Sequence, residues 1–246
     1  METIAYNTTA LGFVVLTMVM YTLVMVELKK ALARTPWEYS RKRKIFTKVL
    51  MAVAGWTLFI SILGLTGFLR DFSTFPPRIM IVLVIPLITM VAITFSKTGT
   101  AILEFVPAKT IVLLQVFRVF VEILLWSLFL QNILPVQMSF EGRNFDVLSG
   151  LTAPFVAYFL VNNRVALFIW NILCLGLLFN IVTIAILSLP THFRVFMNEP
   201  ANTIVAYFPF IWLPGLLVPL AYGLHFLSLR QQALKNSNAE NTENTK

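Results

Sequence analysis

Residues 110–134 read TIVLLQVFRVFVEILLWSLFLQNIL, an apolar run interrupted by one cation, Arg118, and one anion, Glu122. At ~1.5 Å rise per residue a helix needs ~20 residues to cross a hydrocarbon core of ~30 Å, so this stretch is long enough to span a bilayer. Six more apolar runs flank it: Thr8 to Leu28, Ile45 to Leu69, Ile79 to Phe95, Val147 to Val161, Val165 to Leu187 and Thr203 to Leu229. The whole chain, 246 residues that are 58% hydrophobic and only 12% charged, has a mean hydropathy of +0.82. That is too apolar for a water-soluble surface. The expected fold class is all-α, a polytopic integral membrane bundle of seven transmembrane helices. The fifth run is the shortest and borrows Phe145 and Asp146 to reach across; were it re-entrant, six crossings would remain.

Short loops rich in Lys and Arg stay on the cytoplasmic side during insertion. The loop after the first run holds Lys29, Lys30, Arg34, Arg41, Lys42, Arg43, Lys44 and Lys48. Alternation from that loop puts Lys97, Lys109, Arg164, Arg230, Lys235 and Lys246 inside as well, and leaves Arg70, Arg78, Arg143 and Arg194 outside. The N-terminus is then outside and the C-terminus cytoplasmic, as expected for the plasma (cytoplasmic) membrane. No cation precedes Lys29, so the first run reads as an anchor that stays rather than a cleaved signal. The same insertion rule explains the Arg41-Lys42-Arg43-Lys44 string and most of the net charge of +8, so neither argues for a nucleic-acid partner.

Loops are short throughout, which makes residues 1–235 a single transmembrane domain. The segment 236–246, rich in Asn, Thr and Glu, reads as a disordered polar cytoplasmic tail. Residues Thr98 to Ala108 mix apolar and charged side chains and are expected along the inner interface. Cys174 is the one cysteine and falls mid-span, where an inert thiol is the default. Asn7-Thr8-Thr9 matches a glycosylation sequon, close to the membrane. The third and seventh runs share a Pro between aliphatics, at Pro86 and Pro219, a faint sign of two three-helix halves joined by the fourth run.

Within the fourth run Gln115, Arg118, Glu122, Trp126 and Phe129 fall in one sector of a helix at ~100° per residue. Glu122 sits ~18 Å from Thr110 along the axis, too deep to reach water along its own helix. It either pairs with Arg118 or takes up a proton. Arg before Glu at i, i+4 is the weaker orientation, so further partners are expected on other helices, from Asn171, Asn180, Ser61 and Tyr222. Intramembrane ionisable groups mark binding and proton sites by default. Pro209, Pro214 and Pro219 remove backbone donors from the seventh run and predict a broken helix there.

A second cluster is expected on the outer face. Glu141, Arg143, Asn144 and Asp146 follow the fourth run, and His192, Arg194, Asn198 and Glu199 precede the seventh. These side chains suit acid/base chemistry, metal ligation or capture of an anionic solute, although their spacing matches no metal signature. The competing reading is that they pair with one another and cap helices, for example Asn198 or Asn202 at the start of the seventh run.

A retinal Schiff base is excluded, because no Lys lies between Lys109 and Lys235. Membrane haem held by two histidines is disfavoured, since His192 lies outside and His225 near the inner end of the seventh run. The topology resembles that of small sugar facilitators, but the prolines do not fall where theirs do, and the likeness is topological alone. No cofactor or metal is implied. The favoured function is a small-solute or ion-coupled transporter, or a ligand-sensing membrane protein, built on Gln115, Arg118, Glu122, Asn171, Asn180 and Tyr222. The alternatives are a membrane-embedded enzyme at the outer-face cluster and a structural membrane subunit. Partners would be bilayer lipid, a small molecule or ion, and a second copy or membrane subunit.

Overall fold

The computed structural model describes residues 4–243, with side chains as far as Lys235. Every regular element is helical, with no strand among the described residues. Helices α1 (Ile4–Arg34) and α2 (Tyr39–Thr66) are followed by α3 (Ile79–Phe95), which turns by 70° at Ser96 into the short α4 (Lys97–Leu103). The Ser96 hydroxyl caps α4 by accepting from the Gly99 amide. Helices α5 (Ala108–Leu113) and α6 (Phe117–Leu130) are joined by a single 3-10 turn. Next come α7 (Val147–Phe155), prolonged by a π turn to Leu160, and α8 (Arg164–Leu187). A π turn at Leu213–Leu217 leads into α9 (Val218–Glu243). Of the tail expected to be disordered, residues 244–246 lie outside the described residues, as do the side chains after Lys235.

Five helices are long and apolar enough to cross a membrane, and the bent α3–α4 pair raises that to six. The outside of the bundle is apolar, with Leu58, Phe59, Leu173 and Phe179 exposed, while its polar and charged groups Gln115, Arg118, Glu122 and Asn171 are buried. That is the reverse of a water-soluble protein and fits lipid contact. Hydroxyls inside the helices are satisfied locally, as when Thr17, Thr57 and Thr94 each donate to the carbonyl four residues back.

The most enclosed helix is α9, with 67% of its apolar window buried, against 11% for α2 at the rim. Glycines set the close approaches. Gly215 has Val82 and Ile60 against it, and Gly223 has Met90, so α3 and α9 run side by side in the same direction. Gly12 is pressed by Leu124, and Thr9 Oγ1 lies 2.8 Å from Ser127 Oγ, which makes α1 and α6 antiparallel.

The seventh run is broken, as its prolines predict: 203–212 holds only a 3-10 turn, Ile204–Ala206, and continuous helical structure begins with the π turn at Leu213. Pro209 and Pro214 remove the donors that an earlier start would use. Carbonyls freed in the π turn find side chains instead: Trp56 Nε1 donates to Gly215 (2.9 Å) and the Tyr21 hydroxyl to Leu216 (3.4 Å).

The fifth run, read from Val147 to Val161 and the shortest of the seven, is a short apolar helix over Val147–Leu160. After Leu130 the chain doubles back beside α8 with only one 3-10 turn, Val136–Met138. Gln137 Nε2 donates to Ser188 Oγ (2.9 Å), and further on the Arg143 carbonyl accepts from Asn180 (3.1 Å). By Asp146 the chain has come level with Arg118. There α7 takes over and runs antiparallel to α5 and α6. Gly150 lies against the Val119 backbone, and the Lys109 ammonium sits 3.4 Å from the Tyr158 ring centroid. This segment traverses the bundle as half loop and half helix.

Candidate functional site

The re-entering loop brings two residues expected on the outer face, Asn144 and Asp146, into the interior, where they are 0% and 4% exposed. Asp146 grips Arg118 in a two-pronged pair, Nε to Oδ2 at 2.7 Å and Nη2 to Oδ1. Arg118 Nη1 lies 2.9 Å from His225 Nε2, and Nη2 reaches the Cys174 carbonyl at 3.4 Å. The anticipated pairing of Arg118 with Glu122 is therefore not the one that forms. Asp146 comes from another segment and meets the guanidinium edge-on, which a carboxylate four residues along the same helix does not.

Donor and acceptor roles follow from the inventory of each group. A guanidinium only donates, so His225 Nε2 accepts from it and the ring hydrogen resides on Nδ1. Nδ1 then donates to Asn171 Oδ1 at 2.8 Å. The orientation of the Asn171 amide is fixed by its Nδ2, which donates to the Leu167 carbonyl (2.8 Å) and to Ser228 Oγ (2.9 Å). A continuous chain thus runs Asp146, Arg118, His225, Asn171, Ser228 through α6, α8 and α9. The Trp170 ring lies 5.4 Å from the imidazole and walls it off.

Glu122 stands apart from that chain. Its Oε2 accepts from Asn144 Nδ2, which also donates to the Met138 carbonyl (3.0 Å), while Asn144 Oδ1 accepts from the Asp146 amide (3.1 Å). Among the described residues no ion pair reaches Glu122. With Arg118 neutralised by Asp146, Glu122 is a carboxylate in excess, 2% exposed. It lines, together with Asp146 and Asn202, a cavity of about 90 Å³ whose remaining walls are almost wholly apolar.

Other candidates are placed as follows. Gln115 is buried but donates to the Ala221 carbonyl (3.2 Å), and Tyr222 packs in the core with its ring 6.0 Å from Phe226. Asn180 lies outside the network, exposed and bonded to the Arg143 carbonyl, and Ser61 accepts from Trp212 Nε1. Glu141 accepts from Trp126 Nε1, and the Arg143 guanidinium lies over Phe196. Arg194 pairs with Glu199 at 3.0 Å and donates to the Asn198 carbonyl, while His192 is exposed. The eight outer-face residues are therefore split: Asn144 and Asp146 are interior, Glu141, Arg143, Arg194, Asn198 and Glu199 each have partners of their own, and His192 is exposed. Among the described residues no three of His, Cys, Asp and Glu come together to hold a metal ion. Asn198 and Asn202 cap no helix; their amides donate to Gln137 Oε1 (2.8 Å) and the Ala185 carbonyl (3.1 Å).

His225 is absent from the sequence-based site, yet α9 carries a legible signal in Tyr222, His225, Ser228 and Gln231, polar groups every three residues that wind around a helix enclosed on most sides and are all buried.

One family model matches the chain, over residues 76–232, and its description is a domain of unknown function, DUF8737. The match covers α3 through most of α9, and so every member of the buried network, but neither α1 nor α2. No curated protein and no solved structure matches the chain.

Proposed function

The chain belongs to the DUF8737 family, and we propose that it is a multi-pass membrane protein in which Glu122 exchanges a proton or small cation during solute transport or ligand sensing. The observation that carries this reading is the charge imbalance: Arg118 forms its ion pair with Asp146, and among the described residues Glu122 has a hydrogen bond from the Asn144 amide and no ion pair. A carboxylate left in excess in a low-dielectric interior is neutralised by a proton or a cationic ligand, and its gain or loss is a chemical event available for coupling. The half-loop fifth segment and the broken start of α9 flank the site, as interrupted helices do in transporters.

In this reading the chain passes the bilayer seven times, as one domain over residues 1–235, with the N-terminus outside and the C-terminus in the cytoplasm. The cation-rich turn between α1 and α2 faces the cytoplasmic leaflet of the plasma membrane. Arg118, Asp146, His225 and Asn171 form the rigid floor, and Gln115 and Tyr222 complete its polar surroundings.

The test is charge displacement in proteoliposomes on a solid-supported membrane, after jumps in proton or monovalent-cation concentration. Wild-type protein gives a transient current. Glu122→Gln, which keeps shape and its hydrogen-bonding amide, stays monodisperse and gives none; a variant current equal to the wild type refutes the proposal.

A further inference from the structure

The chemistry of the cavity wall narrows what it accepts. We infer that its occupant is a small alkylammonium ion, a protonated primary amine on a chain of a few carbons. This rests on the reading of Glu122 as the charge-exchanging group.

All three polar residues at the cavity present acceptors. Asn202 is 1% exposed and uses its Nδ2 on the Ala185 carbonyl, which leaves Oδ1 buried without a partner. Asp146 has both oxygens on Arg118, and Glu122 shares one oxygen with Asn144. A ligand that donates hydrogen bonds and carries positive charge satisfies this set.

Anions and zwitterions are poor fits. The one cation nearby, Arg118, has Nε, Nη1 and Nη2 all engaged, so a ligand carboxylate would be buried without a counter-charge. A bare alkali ion needs a shell of several oxygens, whereas Ile79, Leu83, Val121, Leu125, Leu178 and Ile181 supply only hydrocarbon. That hydrocarbon matches an alkyl chain. The volume, about 90 Å³, is room for a small headgroup on a short alkyl chain rather than for a large solute.

The experiment titrates the detergent-purified full chain with ethyl-, propyl- and butylammonium, and with 1-propanol, propionate, glycine, sodium and potassium as controls, following the thermal midpoint. Propylammonium raises the midpoint saturably, and the controls leave it unmoved. Glu122→Gln weakens the half-saturating concentration by roughly tenfold or more, through loss of the charge-assisted bond. Asn202→Ala weakens it less, and Ala185→Leu, which fills the cavity between its polar ends, abolishes the response. Size-exclusion profiles identify any variant that fails to fold, and Ala185→Leu then serves in place of Glu122→Gln. An equal response to 1-propanol, or an unaltered response in Glu122→Gln, overturns the inference. Silence toward every amine, with proton-driven currents still dependent on Glu122, overturns this inference and leaves the charge-exchange proposal standing. Silence in both assays removes both.

Discussion

Removing the Asp146 carboxylate is the sharpest test of how the buried network is held together. Asp146→Ala strands Arg118, 2% exposed, with only His225 and one distant carbonyl as partners. Taking one partner from a buried pair costs about 3–5 kcal/mol, because the remaining ion keeps its desolvation penalty. Against a typical total of about 5–15 kcal/mol, that is roughly a fifth of the stability at the least. Arg118→Leu alone also destabilises, though a stranded carboxyl can shed its charge by taking a proton and a guanidinium cannot. The double variant, Arg118→Leu with Asp146→Ala, loses both charges. Its residual cost is that of His225 Nε2 left without a donor, about 1–3 kcal/mol. The cycle is therefore non-additive by several kcal/mol, with the double variant more stable than Asp146→Ala. Reversible unfolding in mixed micelles, followed by tryptophan fluorescence, measures all four corners. A double variant whose loss equals the sum of the singles refutes the description of Arg118 and Asp146 as a coupled pair.

Gly150→Ala places a methyl carbon 2.8 Å from the Val119 backbone nitrogen and 2.7 Å from Val119 Cγ2, so α7 must lift off α6. An overpacking cost of about 1–3 kcal/mol is expected, measured in the same micelles, whereas Gly176→Ala, inside α8 with open space around it, should be neutral or stabilising by up to about 1 kcal/mol. Outside the spans, hydrogen bonds from the Ser73 hydroxyl and amide, with Arg78 adding its charge, hold the Asp71 carboxyl below its ordinary value. A carboxyl lowered in the folded state supports the 71–78 turn above the usual carboxylate range, and that support is lost as pH falls through the depressed value. The protection factor of the Ser73 amide, its intrinsic exchange rate at each pH divided by the observed rate, should therefore stay constant from neutral pH down to about 4 and fall below it. Asp71→Asn should remove that step, and a step persisting in the variant would count against the carboxylate as its source.

The apolar runs carried most of the architecture. Five of the expected spans correspond to long apolar helices, because a lipid-facing helix must be apolar along its length and hydropathy records that directly. The site was only half legible. Spacing along one helix correctly grouped Gln115, Arg118 and Glu122 as buried, but periodicity reports a face and not a partner. Asp146 and Asn144 were assigned to the surface because a polar loop normally lies there. What returns them to the interior is three-dimensional: Gly142 folds against the Val136 carbonyl and Gln137, and the Arg118 charge requires an anion at its own depth. His225 figures in the sequence only as a haem ligand without a second histidine at its depth; its place beside Arg118 is a contact between helices, which hydropathy does not report.

The half-loop fifth segment also constrains the order in which the protein is assembled. Its stretch 131–146 holds only one 3-10 turn and a few local backbone bonds, and several of its polar groups find partners on neighbouring elements, as Gln137 does on Ser188 and the Arg143 carbonyl on Asn180, so by itself it is a poor fit to lipid. The chain emerges from the ribosome with this segment ahead of α8 and α9, and Asp146 and Arg118 are both made before His225. In the proposed seven-span arrangement, residues 131–160 would find their polar partners only once α8 and α9 have been made, so assembly would be a closing step on a late helix rather than a sequence of independent insertions.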